Sequence, residues 1–322
     1  MAVYTPIDED DLTALLADFN LGPAISCKGI AEGVENSNFL LETERGRFIL
    51  TLYERRVREG DLPYFLDLMR WLAERGFPCP TPMADRRGRM LKTVRQRPAA
   101  LVSFLTGVAV QHPTPAHCRE AGAGLARLHL AGRDFPGERE NTLGQPTWAP
   151  LFKPLGAAAD GLRPGLAADI HADLAALGAG WPAGLPRGSI HADLFPDNVF
   201  FIGQRFSAAI DFYFACTDAL AYDLAICLNA WTFTSDGQFK PDCVPALITG
   251  YDTLRPLSVR ERAALPVLAR GAAMRFFLTR LADWGATPPG AMVRPKDPME
   301  YEARLAFFRR LTDDPFASKD SA

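Results

Sequence analysis

The sequence predicts an α+β protein of two lobes, a small antiparallel sheet over residues 1–103 and a larger helical part over 104–322. Three observations predict it. The first third alternates short apolar runs with polar turns and holds one long helical pattern. After a connector at 107–115 the apolar spacing becomes helical almost to the end. One strand pair, 199–202 and 206–210, interrupts that helical pattern just after a dense group of polar residues.

Taken in order, residues 9–19 place Leu12, Leu15, Leu16 and Phe19 on one helical face. Over 28–41 a polar segment, Glu35-Asn36-Ser37-Asn38, lies between two strand-like runs and reads as a hairpin loop. Gly46 turns the chain into a third strand, 47–53. Residues 62–72 carry Leu62, Phe65, Leu66, Met69 and Leu72 at helical spacing, stopped by Gly76 and Pro78. Strands at 89–94 and 99–104 follow, around Arg95-Gln96-Arg97-Pro98. Helices are predicted at 116–130, 162–177, 218–231, 245–254, 259–284 and 298–311, with a loop-rich stretch at 136–150. Gly122-Ala-Gly124 lies inside a helical run without a third glycine, so it reads as close helix packing. No G-x-x-x-x-G-K-[ST] occurs, which disfavours a P-loop fold.

At 322 residues and 48% hydrophobic composition the chain is long and apolar enough to bury a substantial core. A net charge of −3 argues against a nucleic-acid or membrane-surface partner, which calls for a basic patch. Six scattered cysteines without a C-x-x-C pair suit thiols in a reducing cytosol. The acidic start, residues 1–11, has no signal-peptide pattern. No apolar run approaches the ~20 residues that a membrane span needs. The expectation is a soluble cytoplasmic protein whose partner is a small molecule.

The chemistry concentrates in Ser189-Ile-His191-Ala-Asp193-Leu-Phe-Pro-Asp197-Asn198, followed by Ile210-Asp211-Phe212. Phosphoryl transfer to an alcohol needs one carboxylate to orient the hydroxyl, and oxygen ligands to hold magnesium against nucleotide phosphates. Asp193 is the expected catalytic base, Asn198 and Asp211 the expected magnesium ligands, and ATP with Mg2+ the expected cofactors. The strand pair is expected to return residue 211 to the side of residue 198. His191 is read as a brace for the loop, and Asp197 as a cap, turn residue or substrate contact. Asp223 either accepts hydrogen bonds from this loop or sits as a carboxylate at a helix N-terminus. His129 reads as a packed helix residue. Trp231 and Arg275 are substrate-side candidates, with a solvated Arg275 as the alternative. Glu35, Asn36, Ser37 and Asn38 would fold over the triphosphate and offer backbone amides to it; Val102 and Phe104 complete the nucleotide set. An internal control exists: His171-Ala-Asp173-Leu174 repeats the motif's start, but Gly178 stands where the asparagine would be. His171 and Asp173 are therefore read as solvated helix-face residues.

His191-x-Asp193-x-x-x-x-Asn198, Ile210-Asp-Phe-Tyr213 and Tyr222-Asp-Leu-Ala-Ile226 together resemble the aminoglycoside phosphotransferase and choline kinase superfamily. More narrowly, Gly29-Ile-Ala-Glu-Gly-x-Glu-Asn-Ser-Asn-Phe39 and Phe48-Ile-Leu-Thr-Leu52 are similar to the homoserine kinases of that fold. The resemblance runs from Val3 to about Arg310. It implies a two-lobed protein-kinase-like fold with nucleotide in the cleft between lobes. It also implies ATP-dependent phosphorylation of the L-homoserine side-chain hydroxyl, a step towards threonine. One position departs from the wider pattern. Thr51 stands where the third strand usually carries a phosphate-gripping lysine or arginine, and the following helix offers Asp67 but no glutamate. Lys28 or Arg55 could substitute, or the lid amides and magnesium suffice. Two alternatives stay open at this point. One is a kinase of the same fold for choline, an aminosugar or an aminoglycoside; the other is a non-catalytic pseudokinase. The absence of an acidic run over 218–284 leans towards an amino acid acceptor.

Overall fold

The computed structural model describes residues 4–30, 36–54, 57–234, 236–286, 295–311 and 314–316. The chain divides into two units. The first comprises Met1–Gly107, Asp134–Arg139 and Ser207–Tyr213; the second comprises Val108–Arg133, Glu140–Phe206 and Phe214–Ala322.

In the first unit, β1 (Ala24–Gly29), β2 (Asn36–Thr43), β3 (Gly46–Tyr53), β4 (Leu91–Val94) and β5 (Arg97–Ser103) form one antiparallel sheet in the order β1-β2-β3-β5-β4. The period of two divides its faces. Phe39, Leu41, Phe48, Leu50, Leu52 and Leu101 join one core with Leu12, Leu15 and Leu16 of α1 (Glu9–Leu16). On β3, Thr51 and Tyr53 alternate with that set and are themselves buried. Tyr213 packs edge-on against Tyr53 and against Phe65 of α2 (Leu62–Glu74), at ring centroids of 5.2 and 5.8 Å.

Asn36, Ser37 and Asn38 are strand residues, paired with Tyr53, Leu52 and Thr51. This corrects the expected loop for these three positions. Their backbone belongs to the β2–β3 ladder, and polar side chains alone do not break a strand whose partner register is fixed by apolar alternation.

The second unit is mainly helical: α3 (Pro115–Ala131), α4 (Gln145–Phe152), α5 (Gly156–Leu162), α6 (Leu166–Gly180), α7 (Leu220–Trp231), α8 (Cys243–Leu254), α9 (Val259–Ala286) and α10 (Met299–Arg310). Helices α3 and α8 touch through glycines. A Cβ on Gly122 would lie 2.1 Å from the Leu247 carbonyl oxygen, and one on Gly250 would lie 2.0 Å from that of Arg119. Gly122 thus serves close helix packing, as its helical setting implies, while Gly124 makes room for the Phe206 ring.

The helix expected over 162–177 is α6, set off from α5 by the left-handed Gly165, and two further elements differ from expectation. The stretch 136–150 was expected to be loop throughout, yet α4 starts at Gln145. Its Pro146 falls in the first turn, where a missing N–H costs nothing, and Trp148 and Phe152 anchor it in the core. The helix expected over 218–231 starts at Leu220, because Cys216–Ala219 (β9) pairs antiparallel with Arg187–Ile190 (β6). The strands Val199–Ile202 (β7) and Arg205–Ala209 (β8) form the expected two-stranded ribbon around Gly203.

Candidate active site

Strand β6 ends at Ile190 and delivers the motif loop. Ala192 has φ 61°, a left-handed conformation that costs an L-residue about 1–2 kcal/mol. Asp223, in the first turn of α7, holds it there. Its carboxylate accepts the backbone N–H of His191 at 2.7 Å and of Ala192 at 2.8 Å. Burial pushes the Asp223 carboxyl up, but the hydrogen bond from His129 and the N–H of His191 outweigh it and hold it below the usual carboxylate range.

Behind Asp223 runs a polar chain. His129 Nε2 lies 3.0 Å from Asp223 Oδ2, and Nδ1 lies 2.7 Å from the Tyr251 hydroxyl. Arg255 donates to that hydroxyl at 3.0 Å and to Glu261 at 2.8 Å. Arginine can only donate, so the Tyr251 O–H is available to His129 Nδ1 while Nε2–H serves Asp223. His129 is a packed helix residue, as expected, and it also buttresses the loop.

The half-buried Asp193 is oriented by Asn198, whose Nδ2 donates to its carbonyl at 2.8 Å and to its carboxylate at 3.2 Å. Its own N–H donates to His191 Nδ1 at 3.3 Å, and His191 is wholly buried. The exposed Asp197 faces Lys296 at 3.7 Å. Trp231 is buried, and its indole N–H donates to the Leu194 carbonyl at 2.8 Å. Arg275 is 2% exposed, which corrects the solvated alternative for it. Its Nη1 donates to the Ala192 carbonyl, and its guanidinium lies over the rings of Phe276 (4.5 Å) and Phe214 (5.5 Å). Both residues read from the sequence as substrate-side candidates therefore bond the loop backbone.

In the first unit, Thr51 Oγ1 donates to Asn38 Oδ1 at 2.8 Å, and the Tyr53 and Tyr213 hydroxyls lie 3.1 Å apart. Burial raises the Tyr213 phenol to about 12, with hydrogen bonds from Tyr53 and Thr51 opposing. Thr51 thus carries a hydroxyl network where the wider pattern would place a cation. Ser37 points to the opposite face, accepts the N–H groups of Tyr4 (2.8 Å) and Thr5 (3.1 Å), and donates to Glu54 at 2.7 Å. Asn36 accepts the Glu54 N–H at 3.4 Å. Lys28 is exposed on β1. Val102 is buried beside Ile49, and the half-buried ring of Phe104 carries the Arg47 guanidinium at 4.3 Å. Asp211 is exposed with φ 65°, a region aspartate visits more readily than most residues. Glu35 and Arg55 lie outside the described residues.

Asn198 has its amide nitrogen engaged with Asp193, which leaves its Oδ1 for a cation, and in the first unit Asp211 carries an exposed carboxylate. Magnesium takes few protein ligands beside waters and phosphate oxygens. Among the described residues no group of three or more His, Cys, Asp or Glu forms a protein-only metal cage.

The control motif has a different fate from that expected. His171 is exposed, but Asp173 is buried and paired with Arg270 of α9 and Arg309 of α10, the latter at 2.7 Å. A distant pair of arginines turned a polar helix position inward, which its neighbours in sequence could not reveal.

The phosphotransferase enzyme family model matches residues 26–257. A homoserine kinase of Caulobacter sp. (strain K31) is 64% identical over 310 residues, 96% of this chain and 97% of that protein. A homoserine kinase of Phenylobacterium zucineum (strain HLK1) is 64% identical over 313 residues, 97% of each. Among solved structures, amicoumacin kinase hAmiN in complex with AMP-PNP, Ca2+ and Ami aligns with a TM-score of 0.69 at 16% identity, covering 94% of this chain and 92% of that one. Choline kinase from Cryptosporidium parvum Iowa II aligns at 0.63 and 15%, covering 88% of each. The architecture is that of the aminoglycoside phosphotransferase and choline kinase group, a protein-kinase-like α+β fold. With identity above 60% over nearly its full length, the chain belongs to the homoserine kinases of the phosphotransferase enzyme family.

Proposed function

We propose that this protein transfers the γ-phosphoryl group of ATP to the side-chain hydroxyl of L-homoserine, giving O-phospho-L-homoserine and ADP, a step towards threonine. The observation that carries the reading is the Asp193–Asn198 pair, fixed at 2.8 and 3.2 Å on a loop held by Asp223, in a chain of this family.

Asp193 accepts a hydrogen bond from the acceptor hydroxyl and takes its proton as the oxygen attacks phosphorus. A carboxylate is a weak base at neutral pH, so orientation is the larger part of its contribution. Asn198 and Asp211 would hold magnesium, which when bound neutralises charge on the phosphate oxygens. Asn36 and Asn38 share one face of β2 with Thr51, and on this reading that face of the assigned segment serves the nucleotide. Val102 and Phe104, at the end of β5, complete that surface. His191, Trp231 and Arg275 act through the loop backbone as positioning residues.

The test is ADP release by purified protein with magnesium-ATP and, separately, L-homoserine, choline, L-serine and kanamycin. Turnover confined to homoserine is expected. Turnover with choline or kanamycin in its place would keep the chemistry and overturn the acceptor.

A further inference from the structure

Helix α10 carries an arginine that the loop chemistry does not use. Arg304 is 3% exposed. Its Nη2 bonds Glu300 Oε1 at 2.6 Å, but Nε and Nη1 are buried without a hydrogen-bond partner. Arg280 of α9 bonds the other oxygen of the same Glu300 and the Asp297 carbonyl. Two guanidinium groups thus share one carboxylate, and among the described residues no second carboxylate forms an ion pair with either. Both guanidinium groups lie against the Tyr301 ring, at 4.1 Å for Arg304 and 4.5 Å for Arg280. The Tyr301 hydroxyl is also buried without a partner.

Unpartnered donors in a protein interior are costly, so a cluster of them on two guanidinium groups that share one carboxylate calls for an anion. Its position is specific. Tyr301 stacks on Phe276 at 5.1 Å, and Phe276 meets Phe195 at 4.9 Å, two residues beyond Asp193 in the motif loop. Asp193 is one of the charges acting on the Tyr301 phenol, which burial raises to about 12. We propose that Arg304, Arg280 and the Tyr301 hydroxyl form the subsite for the carboxylate of the amino-acid acceptor, at the far end of the molecule whose hydroxyl meets Asp193. The assignment rests on the acceptor reading above. Arg275, the arginine read from the sequence as a substrate-side candidate, is instead tied to the Ala192 carbonyl.

Two probes that each lack one group separate the ends of the acceptor. L-2-Aminobutyrate keeps the carboxylate without the hydroxyl, and 3-aminopropan-1-ol keeps the hydroxyl without the carboxylate. Both are measured as competitive inhibitors against L-homoserine. Arg304→Gln should raise the KM for homoserine and the inhibition constant of 2-aminobutyrate by about 10- to 100-fold each, the loss expected for a charge-assisted contact. The KM for ATP and inhibition by 3-aminopropan-1-ol should stay unchanged. Tyr301→Phe keeps the stacked ring and removes only the hydroxyl, so it should shift the same two constants by a smaller factor, with the fold retained. Equal weakening of both probes, or of neither, in Tyr301→Phe and in any folded Arg304→Gln protein would overturn the subsite and assign Arg304 to packing alone. A wild-type protein that ignores homoserine would instead sink the acceptor reading itself.

Discussion

The Asp223 carboxylate accepts the Ala192 N–H at 2.8 Å, and Ala192 stands at φ 61°. A non-glycine residue in that conformation needs outside support, and one buried carboxylate supplies it to two consecutive N–H groups. The loop that presents Asp193 is therefore held from behind.

Replacing Ala192 by glycine should relax that strain. Ala192→Gly is expected to raise stability by about 1 kcal/mol in denaturant unfolding, reduced by the flexibility glycine adds to the unfolded chain. Asp223→Asn should destabilise by about 1–3 kcal/mol, since one buried N–H loses its acceptor. The pH dependence has a definite sign. Asp223 has a lowered folded value, so its contribution is present above the ordinary 3.8 and is lost as pH falls through the folded value. The Asn variant should show a shallower acid limb of unfolding.

Asp193→Ala should cut turnover by roughly 100-fold or more while magnesium-ATP binding stays near wild type. Retention of more than about half of wild-type turnover would remove Asp193 from the chemistry. Asp211→Ala should abolish magnesium-dependent nucleotide binding measured by calorimetry, and unchanged binding would locate the cation elsewhere.

Thr51→Val keeps the shape of a 3% exposed side chain and removes the hydroxyl that donates to Asn38. A loss of about 1–3 kcal/mol is expected for the acceptor left behind. A neutral result would mean that Asn38 finds another donor.

Gly122→Ala would place a Cβ 2.1 Å from the Leu247 carbonyl oxygen. Both sides of the contact are backbone, so α3 and α8 must separate. The expected cost is about 3 kcal/mol or more, read as a lower denaturation midpoint. By contrast Gly161→Ala meets nothing within 4 Å and serves as the control.

Burial raises the phenols of Tyr53, Tyr213, Tyr222, Tyr251 and Tyr301, those of Tyr213 and Tyr301 to about 12. A raised folded value means stability that is full below the unfolded value of 10 and is lost as pH rises through the folded one. The phenolate absorbance of these five should therefore appear together with loss of helix above pH 10, after that of the exposed Tyr4, and full ionisation with the helix intact would contradict the shared cause.

The legible parts of this chain were those with local signals. Apolar spacing located α2, α3 and α9, and the Asp193–Asn198 spacing located the loop. Long-range partners were not legible. Nothing near Asp173 in sequence announces Arg270 or Arg309, and the helical spacing over 298–311 does not tell that Arg304 turns inward. The Asn36–Asn38 segment reads as loop because its polarity is local, whereas its strand pairing is set by Leu50 and Leu52 across the ladder. Asp223 was legible in both of its readings: it stands in the first turn of a helix, and it accepts hydrogen bonds from the motif loop, whose donors His191 and Ala192 the fold identifies.

The central claim concerns where the phosphoryl group ends. Phosphorus NMR of a reaction containing the protein, magnesium-ATP and L-homoserine tests it most directly. The account predicts O-phospho-L-homoserine and ADP in equal amounts, with loss of both in Asp193→Ala. ADP accompanied by inorganic phosphate, or product undiminished in Asp193→Ala, would contradict it.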